Sequence, residues 1–174
     1  MSSRRSSQQG FTLLELMIAV VIIGVLAMLV VPSWAKESRK SKAKSEVAAV
    51  FAELMYREEQ YKVEFGSYMS APTCPSTTST SGQDASSCIA AGQPWYQMRV
   101  SLPTSTLYCT YEIVTGAAGV APSPPAPFTI ANSSNPAVSW YWIVATCDMT
   151  GGAQTSTYFS SSLNSAYQSN NEGY

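Results

Sequence analysis

The sequence predicts an α+β protein in which one long amino-terminal helix packs against an antiparallel β-sheet. Three observations predict this fold. An apolar run at residues 11–31 leads into a charged segment with helical periodicity that continues to Phe65. Beyond residue 94, short segments rich in aromatic and β-branched residues alternate with turn residues. The 174-residue length suits one modest domain with an additional segment.

The apolar run is preceded by a polar leader, residues 1–10, which contains Arg4 and Arg5 and no acid. As a helix the run spans roughly 30 Å, the thickness of the hydrocarbon core of a bilayer, so residues 11–34 are predicted to form a transmembrane helix. A basic leader stays in the cytoplasm, which places residues 35–174 outside it. An ordinary secretory signal peptide fits poorly, because no small-x-small cleavage site followed by a polar start comes after the run.

Residues 35–65 are predicted to continue the helix, with an apolar stripe that packs on the sheet. Apolar residues recur there at three- and four-residue steps: Val47, Val50, Phe51, Leu54, Met55, Tyr61 and Phe65. Gly66 is a plausible helix stop. The segment also holds a basic group, namely Lys36, Arg39, Lys40, Lys42 and Lys44. A solvated helix face, a membrane-surface or DNA patch and charge pairing between copies in a fibre are the open interpretations of that group.

Residues 66–94 are predicted to form a loop rich in Ser and Thr, because turn-forming residues dominate them. A 29-residue irregular loop is unusual in a compact domain unless it is functional or tied down. A disulfide between Cys74 and Cys88 would tie it and contribute roughly 3 kcal/mol.

Residues 95–174 are predicted to form an antiparallel sheet head that ends in a carboxy-terminal loop. Strands are expected at residues 95–100, 106–114, 128–130, 139–149 and 155–161. Gly151-Gly152 predicts a hairpin between the last two strands, with Asp148 capping the turn; a calcium ligand is the alternative role of Asp148. Trp95, Trp140 and Trp142 are expected in the core of the sheet rather than on a ligand platform.

The four cysteines, Cys74, Cys88, Cys109 and Cys147, lack zinc-finger spacing and indicate disulfides formed in an oxidising compartment. If Cys74 pairs with Cys88, Cys109 is left for Cys147, and that bond would join two long strands. Four cysteines allow three pairings, so long-range crossings remain open.

The composition argues against catalysis. The chain has no histidine, which removes the commonest general base and metal ligand, and no P-loop or Gly-x-Gly-x-x-Gly motif occurs. We therefore predict no enzyme activity, no cofactor and no metal site. The net charge is −1, and Arg99 is the only basic residue after Lys62, which argues against a nucleic-acid-binding head.

Glu15 lies inside the apolar run, where an ionised carboxylate is costly. The surrounding sequence, GFTLLELMIAVVIIGVLAMLVVPSW, resembles the amino-terminal signature of type IV pilins and type II secretion pseudopilins. The resemblance covers about residues 4–34 closely and continues weakly to about residue 68. It implies that a prepilin peptidase cuts after Gly10, that Phe11 is then N-methylated, and that Glu15 serves assembly. It also implies an expected type IV pilin-like architecture for the whole chain.

Gly24 and Pro32 match a glycine and a proline between which the helix loosens in filaments of this family. Glycine weakens a helix by about 1 kcal/mol relative to alanine, and proline removes one backbone hydrogen bond and kinks the helix. The alternative is that both are routine kink residues of a membrane helix.

The resemblance implies a structural subunit of a type IV pilus, a surface fibre for adhesion, motility or DNA uptake. The precursor would sit in the inner membrane before assembly into the surface fibre. The implied partners are other pilin subunits, prepilin peptidase and the inner-membrane assembly machinery. A minor pilin or a type II secretion pseudopilin is one alternative. An adhesin or DNA-binding head on a pilin anchor is another.

Overall fold

The computed structural model describes residues 12–131, 134–152 and 154–172. In this part of the chain, two helices and seven strands follow one another: α1 (Leu13–Phe65), β1 (Ala71–Cys74), β2 (Gln83–Asp84), α2 (Pro94–Gln97), β3 (Thr106–Leu107), β4 (Cys109–Gly116), β5 (Trp140–Cys147), β6 (Ser156–Ser161) and β7 (Asn164–Asn170). A long helix followed by antiparallel strands is the predicted α+β, pilin-like arrangement.

The chain divides into two compact units, residues 1–36 and residues 37–174, and α1 contributes to both. In the first unit, the large apolar side chains of α1 whose exposure the structure describes are each more than half exposed: Leu13, Leu14, Leu16, Met17, Ile18, Val20, Val21, Ile22, Ile23, Val25, Leu26, Met28 and Trp34. Over the described ranges, none of the helices combines the length and the apolar character that crossing a bilayer requires.

The second unit, called the head below, has its main core between α1 and a five-stranded antiparallel sheet. The strand order is β1-β4-β5-β6-β7, so β1 and β7 form the edges. Val47, Val50, Phe51 and Leu54 of the predicted stripe are buried, and Met55 and Tyr61 pack partly against them. The stripe ends before Phe65, whose side chain is 59% exposed.

The opposite face of the sheet, called the outer face below, carries a second apolar cluster. Side chains alternate along β5, so Tyr141 and Ile143 join the core under α1 while Trp140 and Trp142 point the other way. Phe159 of β6 completes the outer cluster. Phe128 and Ile130, in the connection between β4 and β5, pack onto it. Trp95 joins the cluster under α1, so all three tryptophans that were expected in the core of the sheet are buried.

Two predicted strands are not strands. Residues 95–100 were expected to be extended, but Pro94–Gln97 form the short helix α2, with Pro94 in its first turn and Trp95 buried. Residues 128–130 do not form a strand. The N–H and carbonyl of Thr129 pair with the Gln168 side chain, at 3.4 Å and 2.8 Å, rather than with a neighbouring strand. Phe128 and Ile130 cover the outer face.

The strand predicted at 106–114 is divided in two: β3 pairs with β2 in a separate two-stranded sheet, and β4 belongs to the five-stranded sheet. The remaining differences are elements absent from the prediction. The expected loop 66–94 contains the short strands β1 and β2, and the expected carboxy-terminal loop contains β7. Strand β7 pairs with β6 through the turn at residues 162–163. Its sequence, Asn-Ser-Ala-Tyr-Gln-Ser-Asn, is too poor in β-branched residues to be recognised as a strand by composition.

The structure contains two disulfides, Cys74–Cys88 and Cys109–Cys147, which is the pairing preferred from the sequence. Cys109 and Cys147 are directly opposite each other at the ends of β4 and β5. Cys74–Cys88 closes the Ser/Thr-rich segment back onto β1.

Candidate assembly surfaces

Glu15 has a local partner at the start of α1. Its Oε2 atom accepts hydrogen bonds from the backbone N–H of Thr12 at 3.1 Å and from the Thr12 hydroxyl at 3.1 Å. In return, Thr12 Oγ1 accepts the N–H of Glu15 at 3.2 Å. This reciprocal arrangement is a capping box, which satisfies backbone donors that a helix start leaves unpaired.

The capping role of Glu15 was missed from the sequence, although its signal is present, since a Thr-x-x-Glu pattern precedes an apolar run. Both bonds go to Oε2, so Glu15 Oε1 has no hydrogen bond within the part of the chain that the structure describes. The predicted processing residues Gly10 and Phe11 lie outside the described residues.

Gly24 and Pro32 both lie within α1. A Cβ atom built on Gly24 would meet no atom within 4 Å, so close packing does not explain this glycine in the isolated chain. Two explanations for a glycine at this position are then left: contact with a neighbouring molecule, or a need for backbone freedom. The loosening of the helix between Gly24 and Pro32 remains a prediction.

In the head, Glu46 of α1 binds the start of β4. Its carboxylate accepts the N–H of Tyr108 at 2.8 Å, the N–H of Cys109 at 3.1 Å and the hydroxyl of Tyr111 at 2.9 Å. Burial raises the pKa of Glu46 above its usual value, and the three hydrogen bonds oppose that rise because they favour the ionised form. Glu46 thus fixes α1 against the strand that carries the Cys109–Cys147 disulfide.

Glu58 ties the carboxy-terminal part of α1 to the segment before β1. Its side chain is fully buried, and Oε2 accepts the N–H of Met69 at 3.0 Å. Oε1 has no hydrogen-bond partner among the described residues. Burial raises the pKa of Glu58 to about 7, against the opposing effect of the Met69 N–H, and the nearby negative charge of Glu59 adds to the rise.

Glu53 makes a third connection of the same kind. Its Oε1 accepts the Arg57 Nε–H at 2.8 Å and the N–H of Ser101, in the segment after α2, at 2.8 Å. The apolar stripe indicated that α1 packs on the sheet, but not that acidic side chains hold it there. The partners of these glutamates lie about 11 to 65 residues away in the sequence. Hydrogen bonds over such separations leave no periodic pattern in the sequence from which they could be predicted.

Asp148 caps the turn between β5 and β6, as its position predicts. Its Oδ1 accepts the N–H groups of Thr150 at 3.1 Å and Gly151 at 2.7 Å. Gly151 has φ 71°, a left-handed conformation that favours glycine. Over the described ranges, no group of three or more His, Cys, Asp or Glu side chains is arranged to hold a metal ion.

Residues 5–31 match the family model of the prokaryotic N-terminal methylation motif. The type II secretion system core protein G of Escherichia coli K12 is 35% identical over 97 residues, which cover 51% of this chain and 67% of that protein. The chain belongs to the type IV pilin-like family. It is therefore a pilin-like subunit with an N-terminal methylation motif.

Other relatives carry the same name. The core protein G of Dickeya chrysanthemi is 35% identical over 97 residues, covering 51% of this chain and 63% of that protein. The core protein G of Klebsiella michiganensis is 42% identical over 65 residues, covering 37% of this chain and 45% of that protein. The chain thus spans about half to two thirds of the length of these curated relatives. A comparison with solved structures finds no match.

Proposed function

We propose that this chain is a non-enzymatic pseudopilin, a subunit of a periplasmic fibre in a type II secretion system. The observation that carries this proposal is the similarity to core protein G of Escherichia coli K12, which extends over 97 residues. The aligned region is therefore much longer than the methylation motif, which covers only residues 5–31. The relatives favour the pseudopilin alternative over the type IV pilus subunit that the sequence led us to prefer.

The proposal includes processing between Gly10 and Phe11 by prepilin peptidase and N-methylation of Phe11. The match to the methylation-motif family supports both steps. Before assembly the precursor is held in the inner membrane through residues 11–34, with the head in the periplasm. The apolar sequence of α1 and the family match support this step, although no helix in the described ranges meets the requirements for a membrane span.

Cleavage creates a new α-amino group on Phe11, one helical turn from Glu15. A cation and a carboxylate attract each other strongly where water is excluded, and either charge alone is costly there. In a growing fibre, Glu15 of a subunit already in place receives the amine of the incoming subunit. The capping box supports this role, because it orients the carboxylate while Oε1 has no partner among the described residues.

A type IV pilus subunit, major or minor, is the second candidate. It is favoured by the two disulfides and by the Ser/Thr-rich segment that one of them closes. These features enlarge and stabilise the head, as suits a fibre exposed outside the cell.

Deletion of the gene in the source bacterium separates the two candidates. We expect the deletion to stop secretion of exoproteins into the medium and to leave sheared surface fibres unchanged. Loss of surface fibres with normal secretion would refute the pseudopilin assignment in favour of the pilus subunit. Mass spectrometry of the membrane fraction should show a mature chain that begins with methylated Phe11, and a complemented strain is the control.

A further inference from the structure

Three charged side chains of the head have no hydrogen-bond or ion-pair partner among the described residues. They are Arg39 and Lys42 on α1 and Glu112 in the middle of β4. The other nearby charges are engaged: Lys40 pairs with Glu37 at 3.9 Å, and Lys44 pairs with Glu172 at 3.5 Å. The acid one turn after Lys42 is Glu46, which is turned towards β4.

Glu112 is in an unfavourable position for an isolated chain. It is half-buried, and its neighbours on the same face of β4 are Thr110 and Val114, with Val144 directly opposite on β5. A carboxylate surrounded by β-branched side chains loses water contacts and gains no compensating partner. Strands also disfavour glutamate, so local structure gives no reason for an acid there.

The unpartnered charges lie on opposite sides of the head. Tyr111 and Ile113 flank Glu112 in β4 and point into the core under α1, so Glu112 points to the outer face. Arg39 and Lys42 are three residues apart on α1, which packs on the other side of the sheet, and therefore share one helix face. Among the described residues, no ion pair joins Glu112 to Arg39 or Lys42 within one head.

The surroundings of Lys42 suit a carboxylate. Lys42 borders an open groove of about 500 Å³, whose lining includes Ser45, Thr104 and Tyr108. Glu46 also lines this groove, and its carboxylate is held by the N–H groups at the start of β4 and by the Tyr111 hydroxyl. The hydroxyls of Ser45 and Thr104 already donate to the carbonyls of Lys42 and Thr106. The Lys42 ammonium and the Tyr108 hydroxyl, which has no hydrogen bond among the described residues, are the groups that can donate to an incoming acid.

We propose that Glu112 of one copy binds the Arg39–Lys42 pair of the next copy, so that the outer face of each head contacts the α1 side of its neighbour. Such a head-to-tail contact uses two different surfaces and repeats along a fibre rather than closing as a symmetric dimer. Complementary charges fix the register, because a wrong register brings like charges together or leaves Glu112 unpaired. The proposal rests on the fibre-forming function proposed above and assigns a head contact to it.

Charge reversal in the full-length chain tests the contact. Glu112→Lys or Lys42→Glu alone places like charges together, and we expect each to reduce the amount of this chain in isolated fibres at least about tenfold. The double variant with both changes restores opposite charges and should recover fibres to within about twofold of wild type. Single variants with wild-type yields, or a double variant as poor as the singles, would overturn the proposal.

Matched controls separate the contact from net charge. Asp84→Lys and Arg99→Glu reverse exposed charges elsewhere on the head by the same amounts and should leave the yield unchanged. An equal loss in these controls would assign the effect to overall charge and overturn the proposal. Recovery in the double variant excludes misfolding of the singles as the cause of their loss.

Zero-length cross-linking gives an independent readout. A carbodiimide condenses a lysine amine with a carboxylate in direct contact, so we expect a peptide joining Lys42 to Glu112 in the dimer band of a denaturing gel. The carbodiimide cross-linking is also carried out on the membrane fraction, so that the contact can be tested even if the wild-type chain forms no fibres. Absence of fibres would count against the proposed function. The cross-link would still support the contact, and its absence from both fractions would overturn it.

Discussion

Glu58 is fully buried on α1, and its Oε1 atom has no hydrogen-bond partner among the described residues. Burial raises the pKa of Glu58 to about 7, so the carboxyl holds a proton in mildly acidic solution. The neutral, protonated form is what makes the buried position tolerable. Glu46 differs, since backbone N–H groups and a tyrosine hydroxyl surround its carboxylate. At the scale of the residue, the sequence shows two similar glutamates, and only their tertiary partners distinguish them.

The first prediction concerns pH. Between the ordinary value of 4.5 and about 7, the folded state holds the Glu58 proton while the unfolded state releases it. The folded state then binds more protons, so the free energy of unfolding should fall as pH rises through this window, by up to about 3 kcal/mol. Thermal unfolding of the full chain in detergent micelles from pH 4.5 to about 8 measures this loss.

Glu58→Gln should flatten that pH dependence, because an amide cannot ionise and its oxygen still accepts the Met69 N–H. Glu64→Gln, at an exposed acid near the end of the same helix, is the control and should retain the wild-type slope. An unchanged slope in Glu58→Gln would show that another group dominates the titration.

The second prediction concerns Glu15. Glu15→Ala removes the acceptor for the Thr12 N–H and hydroxyl and also the charge proposed to receive the incoming amine. Loss of the capping interaction costs about 1 kcal/mol of local helix stability. Glu15→Gln keeps an acceptor oxygen but no charge, so we expect both variants to be processed and both to fail in fibre assembly.

The readout for the Glu15 variants is the fraction of mature chain recovered in fibres, compared with the amount in membranes. Normal fibres from Glu15→Ala would refute the assembly role. If Glu15→Gln assembles and Glu15→Ala does not, the cap rather than the charge is what assembly requires.

At the scale of the element, β4 and β5 illustrate how a sequence pattern succeeds. Both contain dense aromatic and β-branched residues, and they pair over their full lengths from Cys109–Cys147 to Gly116–Trp140. Residues 95–100 and 128–130 have similar composition but are not strands. Pro94 begins α2, which buries Trp95, whereas Phe128 packs on the outer face and the backbone of Thr129 bonds to the Gln168 side chain. Short apolar segments are ambiguous since several structures bury them equally well.

The third prediction concerns the contact between Gly116 and Trp140. These residues are directly opposite each other, and a Cβ atom on Gly116 would overlap the Trp140 ring. The ring cannot move freely, because its Nε1–H donates to the carbonyl of Val120 at 2.7 Å. Gly116→Ala should therefore destabilise the head by about 1–3 kcal/mol, measured as a lower midpoint of thermal unfolding.

Gly92→Ala is a useful comparison, because Gly92 has φ 90° but a Cβ atom added there would meet no atom within 4 Å. Its loss of stability reports backbone strain alone. In Gly116→Ala,Trp140→Phe the overlap is relieved, so part of the stability should return. No recovery would place the cause elsewhere.

At the scale of the whole molecule, the chain divides into two compact units, residues 1–36 and the head, residues 37–174. The large apolar side chains described in the first unit are exposed in a single copy. A large exposed apolar surface marks an interaction site, and the proposed assembly would cover it.

The fourth prediction concerns processing. Gly10→Leu should block cleavage before Phe11, so the chain keeps residues 1–10 and the free α-amine of Phe11 never forms. Without that amine Glu15 lacks its proposed partner, and fibre assembly should fail although the head folds normally. A size shift on an immunoblot and the intact mass of the membrane-extracted chain measure the retained leader. Efficient assembly of the uncleaved chain would contradict the proposed mechanism.

The sequence by itself determined the long amino-terminal helix, the sheet-forming character of β4, β5 and β6, and the family. These features depend on local patterns: apolar periodicity, β-branched composition and a motif with fixed spacing. The tertiary structure alone decided that Glu46, Glu53 and Glu58 hold α1 to the head and that Glu112 has no partner among the described residues. Those outcomes depend on which distant backbone groups fold beside each carboxylate, and no local pattern in the chain encodes that neighbourhood.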